Sequence, residues 1–189
     1  MLGIFKKKQT QEAVVMPIDK SYAREGFTST LEKLINAARC LRADSAGENC
    51  GLYLYVIEGD SENVRARFED PSCGGMEEFT MYFWEPFLGS FYDSFLQSSV
   101  SRLFTKMNGK FMYDNYKGIY FERHFESDAE AMSAVIVLLL EEVYHLRPED
   151  VCLRIQLLDF NRRSDDESTA TFDCDGNKIA STGFQQDLF

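Results

Sequence analysis

The clearest pattern of apolar and polar positions lies in residues 127–148. Ser127 and Glu130 form the S-x-x-E pattern of a capping box, and Pro148 supplies a stop. Between them, apolar side chains recur at helical spacing: Met132, Val135, Ile136, Leu139, Leu140 and Val143. Three more apolar residues widen this arc beyond one face: Val137, Leu138 and Tyr144. We therefore predict a helix that contacts more than one neighbour.

Two further segments have helical spacing. Ser29 and Glu32 repeat the capping box, and an apolar face follows along Phe27, Leu31, Leu34, Ile35, Ala38 and Leu41. This first helix is predicted to end near residues 44–47. A third helix is predicted over Pro86–Met107, because Pro86 stands at a favoured first-turn position and Asn108-Gly109 gives a stop signal.

Apolar runs with a two-residue period predict the strands. These are residues 51–57, 64–69, 78–84, 110–113, 119–125 and 151–160, with a last hairpin from 169–172 and 178–180 around Asp175-Gly176. The first three strands are joined by short turns, which is typical of an antiparallel meander.

The predicted order is helix, three strands, helix, two strands, helix, and a C-terminal strand. It indicates an α+β fold with a largely antiparallel sheet and helices on one face. Residues 1–25 are expected to be an irregular N-terminal segment and residues 26–160 a single α+β domain. Residues 161–189 are expected to hold a charged loop, the hairpin and a C-terminal tail.

Charge and hydropathy argue against nucleic-acid binding and membrane insertion. The net charge is −11, distributed as +2 over residues 1–50 and −13 over residues 51–189. Such a surface repels nucleic acid and anionic lipid heads; it suits a basic protein partner, although solubility alone explains it more simply. The longest apolar run has seven residues, 134–140, against the ~20 of a membrane span, so no membrane insertion is expected.

The cysteines and the N-terminus favour the cytoplasm. The five cysteines are odd in number and contain no C-x-x-C pair: Cys40, Cys50, Cys73, Cys152 and Cys174. The first residues, MLGIFKKKQTQE, place lysines after a very short apolar stretch, which is unlike a signal peptide.

Candidate chemistry is sparse. His124 and His145 are isolated, and two histidines do not assemble a zinc pattern with these cysteines. Asp173-Cys174-Asp175-Gly176-Asn177 resembles half of a calcium loop, but Thr182 stands where the closing glutamate belongs, so a hairpin turn is the better interpretation. Cys73 lies in a loop without a base or cation beside it in sequence. We predict no catalytic residue, no metal and no cofactor, and favour a non-enzymatic protein.

Aromatic residues provide the one candidate surface. Strand alternation places Tyr53, Tyr55, Tyr82 and Trp84 on the sheet face opposite Leu54 and Met81. Exposed tyrosine and tryptophan on a sheet are common anchors for protein partners. Two readings stay open: these residues bind a partner, or they are covered by the N-terminal segment or by residues 151–160.

The element order resembles the fold of type III secretion chaperones and YbjN-like proteins. GLYLYVIEG, VRARFED and EEFTMYFW stand where that family has its meander; KFMYDNYKGIYFERHFE and SDAEAMSAVIVLLLEEV stand where it has its last hairpin and helix. The resemblance covers about residues 26–146. It implies a protein that dimerises and binds other proteins without chemistry, while the strand at 151–160 and the tail depart from small members.

Three functional hypotheses follow. The first is a chaperone-like or adaptor-like module that binds a protein partner, or a second copy of itself as a dimer, through its sheet face or an oligomer interface. The second is an immunity protein that masks a basic toxin. The third is an enzyme or small-ligand sensor with a cavity between helix Pro86–Met107 and the sheet, where His124, Cys73 and carboxylates would converge.

Overall fold

The computed structural model describes residues 18–43, 50–59, 63–70, 79–85, 110–114, 118–125, 127–159 and 168–183. Two α-helices lie in these ranges, α1 (Glu25–Ala43) and α2 (Ala129–Leu139). The strands are β1 (Cys50–Glu58), β2 (Val64–Asp70), β3 (Phe79–Glu85), β4 (Lys110–Asp114), β5 (Gly118–Phe125), β6 (Val151–Asp159), β7 (Ser168–Phe172) and β8 (Lys178–Thr182). The predicted helix over Pro86–Met107 lies outside the described residues.

The described strands form one antiparallel sheet in the order β4-β5-β3-β2-β1-β6-β7-β8. The predicted meander is confirmed, because β1 pairs with β2 and β2 with β3. The predicted fold class, α+β with a largely antiparallel sheet, is confirmed too. The last hairpin belongs to this sheet, since β7 pairs with both β6 and β8.

One face of the sheet packs against both helices. Its central strands contribute Leu52, Leu54 and Val56 of β1, with Leu153 and Ile155 of β6 opposite them. Leu31 and Leu34 of α1 and almost the whole of α2 complete the same buried cluster. Burial of large apolar side chains, each contributing roughly 1.5–3 kcal/mol, therefore stabilises the sheet through this face.

The prediction that the last helix has several neighbours is confirmed. Ala129 and residues 131–139 of α2 are all buried, and the helix contacts both α1 and the 3-10 turn Lys20–Tyr22. A π-helical turn, Leu140–Tyr144, continues α2 and ends at His145 in the left-handed conformation (φ 53°). At its end the Tyr144 hydroxyl donates to the Arg65 carbonyl at 3.0 Å, so the helix is anchored on β2.

Both predicted helix starts were wrong. α1 begins at Glu25, so Ser29 lies inside the helix and does not cap it. α2 is capped by Asp128, whose carboxylate accepts from the Ala131 amide at 3.1 Å, and Ser127 precedes the cap with a positive φ of 46°. Lys20 explains the shift at α2, because its ammonium lies 2.6 Å from the Asp128 carboxylate and 3.4 Å from that of Glu130.

Arg24 explains the early start of α1, because it joins three parts of the fold. Its amide donates to the Ser133 hydroxyl of α2 at 3.0 Å, and its Nε donates to the Cys174 carbonyl at 3.1 Å. Its guanidinium also pairs with Glu149 at 2.7 Å and with Asp175 at 3.1 Å. The first turn of α1 is therefore held by contacts from distant sequence and needs no local capping box.

Asp128→Ala is expected to lower the free energy of unfolding at neutral pH by about 1 kcal/mol, the usual loss for an N-cap. The exposed ion pair with Lys20 adds little. Burial acts to raise the pKa of Asp128. Hydrogen bonds from Lys20 and from the Ala131 amide outweigh this effect and hold the pKa below its ordinary value. The carboxylate therefore stabilises the fold above the ordinary pKa, and this contribution is lost as pH falls through the lowered value.

Urea unfolding at a series of pH values measures this difference. Asp128→Asn is the control, because its side chain keeps a cap acceptor without the charge. We expect the loss in Asp128→Ala to shrink in acid. A difference that stays constant down to acid pH would contradict the role of the carboxylate.

Candidate functional site

The far face of the sheet, the face away from α1 and α2, carries a row of tyrosines and arginines. Cross-strand pairing places Tyr82 opposite Arg67, Arg67 opposite Tyr55, and Tyr55 opposite Arg154. This row runs over four adjacent strands, β3-β2-β1-β6. We name Tyr53, Tyr55, Arg67, Tyr82 and Arg154 the tyrosine–arginine patch.

Contacts within the patch order its side chains. The Arg67 guanidinium lies 5.6 Å from the centroid of the Tyr53 ring and 5.4 Å from that of Tyr82. Its Nη2 also lies 2.8 Å from a carboxylate oxygen of Glu69. The Tyr53 and Tyr55 rings stack with centroids 6.2 Å apart. Such cation–π contacts contribute roughly 0.5–2 kcal/mol each, so the three tyrosines and Arg67 are preorganised.

The patch residues keep partial access to solvent, whereas two other residues of these strands are buried. Thr80 and Ile57 are only 1% and 2% exposed, whereas the five patch residues are half-buried. Half-buried aromatic rings with polar tips are the kind of side chain found at protein interfaces. The five patch residues therefore keep partial access to solvent.

Three of the four predicted anchor residues come together here. Tyr53, Tyr55 and Tyr82 all lie on the far face, within the patch. Trp84 lies on β3, where its backbone pairs with Tyr120 of β5, and its side chain lies outside the described part. The reading that residues 151–160 cover the tyrosines is wrong, because β6 lies beside β1 within the sheet.

Arg67 and Arg154 were missed as site residues. Each interrupts a buried apolar row, Arg67 between Ala66 and Phe68 and Arg154 between Leu153 and Ile155. This alternation was a usable signal, because a charged residue amid a strand's buried positions must point to the other face. That both arginines flank Tyr55 depended on register, which the alternation does not fix.

The candidate chemical groups do not assemble into a reactive site in the described ranges. Cys73 lies outside them, and so does the side chain of His124. His145 is exposed, with Nδ1 3.2 Å from the Glu141 carbonyl. Burial raises the pKa of the Cys174 thiol, which keeps it protonated at neutral pH. Among the described residues, no group of three or more His, Cys, Asp and Glu side chains is placed to hold a metal ion.

The half calcium loop is a hairpin turn. Asp173 Oδ1 accepts from the amides of Asp175 and Asn177 at 3.0 and 2.8 Å, and Oδ2 accepts from the Asn177 side chain at 3.0 Å. Gly176 supplies the positive φ (81°) that the turn requires. The hydrogen bond from the Asn177 side chain is the largest of the effects that lower the pKa of Asp173. The carboxylate therefore stabilises the hairpin turn.

Open cavities of the described part include two that carboxylate side chains line. One, of about 590 Å³, lies between α1 and the start of α2, where Glu32, Arg39 and Glu130 line it. The other, of about 550 Å³, is an acidic groove lined by Glu58, Glu149, Asp150 and Asp173 with Ile179 and other apolar residues. Its carboxylates are already engaged: Glu58 with Arg65, Glu149 with Arg24, Asp150 with Arg147, and Asp173 within its turn.

Comparison with models of known protein families, with curated proteins and with solved structures finds no match for this chain. Neither helix of the described residues has the length and apolar character needed to cross a membrane.

Proposed function

We propose that the protein is a non-enzymatic, chaperone-like or adaptor-like module that binds another protein through the tyrosine–arginine patch. The observation that carries the proposal is the row Tyr82–Arg67–Tyr55–Arg154, half-buried on the face away from α1 and α2. Tyrosine and arginine are the residue types enriched in binding hot spots. The three tyrosine rings lose little conformational entropy on binding, because contacts within the patch already order them.

The proposal includes membership of the secretion-chaperone and YbjN-like fold and a cytoplasmic location. The antiparallel meander followed by β4, β5 and α2 supports the first. The thiols of Cys40 and Cys174, which form no disulfide in the described ranges, support the second, since a reducing compartment preserves them. The other partner in this proposal is a second copy of the chain, bound as a dimer through the same patch.

The immunity hypothesis lacks such support. In the acidic groove, the carboxylates that would meet a basic toxin already bond to arginines or to their own turn. The enzyme hypothesis depended on helix Pro86–Met107, which lies outside the described residues.

Site-specific photocrosslinking in cells tests the proposal. A photoreactive phenylalanine analogue replaces Tyr55 or Tyr82 in turn, and Tyr22 is the matched control. Tyr22 is a tyrosine that is 46% exposed and lies on the 3-10 turn beside α2. We expect a discrete crosslinked species from positions 55 and 82 and none from position 22.

The mass of that species separates the two kinds of partner, because a dimer has twice the mass of the chain. Tyr55→Ser with Tyr82→Ser should weaken recovery of the same species at least about tenfold, as expected for hot-spot residues. An absence of crosslinks at positions 55 and 82, or equal crosslinks at position 22, would overturn the proposal.

A further inference from the structure

We propose that the tyrosine–arginine patch recognises an acidic segment of its partner, with a carboxylate of that segment bound by Arg154. This inference rests on the proposed function and names the chemistry of its partner. It differs from what the net charge of −11 suggests, namely a basic partner.

Arg154 is the group that points to a ligand. Its side chain is half-buried on the far face, between Tyr55 of β1 and Thr171 of β7. Within the described ranges it makes no hydrogen bond, ion pair or ring contact. By contrast, Arg24, Arg65, Arg67 and Arg147 each pair with a carboxylate there.

Desolvation explains why this arginine favours a carboxylate. A guanidinium has five N–H donors in a planar fork that matches the two oxygens of a carboxylate. A half-buried guanidinium gives up part of its hydration, and a partner carboxylate restores those hydrogen bonds. Tyr55, the cross-strand neighbour of Arg154 on β1, offers apolar area to the residues that flank the carboxylate.

The overall negative charge does not oppose this recognition at short range. At physiological ionic strength the Debye length is about 8 Å, so distant carboxylates are screened. Arg67 and Arg154 lie two strands apart on either side of Tyr55, roughly 10 Å at the usual strand spacing. Glu69 of β2 also lies in this region, and its carboxylate is bonded to Arg67. Two arginines thus lie directly opposite Tyr55 in the sheet, one on each neighbouring strand.

The acidic groove provides the contrast that favours this assignment. There the carboxylates are satisfied inside the chain, so a basic partner would have to compete with Arg24, Arg65 and Arg147. At Arg154 a partner carboxylate breaks no ion pair among the described residues.

Selection from a displayed library of short random peptides against the full chain tests the inference. We expect the enriched peptides to be net acidic, with Asp or Glu beside apolar residues. Arg154→Gln should weaken binding of one enriched acidic peptide at least about tenfold, since a hydrogen bond to a charged group is worth roughly 1.5–3 kcal/mol. Arg154→Lys should keep part of the affinity, because it keeps the charge but loses the fork.

Arg39→Gln is the matched control. Arg39 is exposed on α1, and the same substitution there changes the net charge equally. It should leave peptide binding unchanged. Thermal unfolding checks that Arg154→Gln retains the fold, as expected for a side chain without described bonds.

The outcomes separate the two proposals. Enriched peptides that are neutral or basic, and that depend on Tyr55 but not on Arg154, would overturn the acidic partner and leave the patch as a binding surface. Loss of binding in Arg39→Gln equal to that in Arg154→Gln would overturn it as well, as a general charge effect. A selection without any peptide that depends on Tyr55, Tyr82 or Arg154 would count against both.

Discussion

Leu139→Ala is expected to lower the free energy of unfolding by about 2–5 kcal/mol, the largest effect of any substitution considered for this protein. Leu139 is 0% exposed and closes α2, with core residues on both sides along the helix. Its removal costs the transfer free energy of the lost methyl and methylene groups and leaves a cavity. Because α2 contacts α1, the turn Lys20–Tyr22 and β2, its backbone has little freedom to close that cavity.

Urea unfolding followed by circular dichroism measures the loss. Ile179→Ala is the control, because Ile179 is 60% exposed on β8 and its truncation removes little buried area. We expect a change near 0.5 kcal/mol or less there, as for exposed positions generally. A loss below about 1 kcal/mol in Leu139→Ala would place Leu139 at a surface or in an exchangeable interface, contrary to its burial.

Gly26→Ala is expected to destabilise the protein by about 1–3 kcal/mol or more, the usual cost of overpacking. A Cβ at position 26 would lie 2.2 Å from the Cys174 carbonyl oxygen and 2.5 Å from the Asp175 Cα. Both neighbours are backbone atoms, so a side-chain rotation does not relieve the clash. The hairpin turn and the first turn of α1 would have to separate.

Helix propensity predicts the opposite sign for Gly26→Ala, so the measured sign distinguishes propensity from the backbone clash. Alanine in a helix is favoured over glycine by roughly 1 kcal/mol. Gly26→Ala would therefore stabilise α1 if the helix stood alone. Asn36→Ala, at an exposed position of the same helix, is the control and should be neutral or slightly stabilising.

Hydrogen exchange locates the damage in Gly26→Ala. The amides of Asp175 and Asn177 bond to Asp173, and Lys33 bonds to the Gly176 carbonyl at 3.1 Å. If the turn is displaced from α1, those amides should exchange faster than in the wild type. An unchanged or raised unfolding free energy would show that the two backbones do not meet as described.

The strands could be predicted closely from sequence, while the helix starts could not. Alternation is a property of each strand by itself, so β1, β3 and β6 were located within a residue or two at each end. A helix start depends on long-range contacts as well as on the local capping pattern. Ser29 and Ser127 do not cap their helices, because Arg24 and Lys20 hold the helix starts through bonds to residues over a hundred positions away.

Part of the candidate site could likewise be predicted from sequence, and part depended on the strand order. Alternation alone set Tyr53, Tyr55 and Tyr82 on the face opposite the core, because a two-residue period assigns faces without knowledge of neighbours. It did not reveal that β6 inserts beside β1, which brings Arg154 next to Tyr55 from about a hundred residues away.

The sequence by itself thus determined the fold class, the strand positions and the face of each tyrosine, since these follow from local periodicity. Only the tertiary structure decided the strand order, the caps and the arginines that flank Tyr55. The physical reason is that these features arise from pairing between distant segments. Register and ion pairs there are chosen by the free energy of the whole sheet, and no local pattern encodes them.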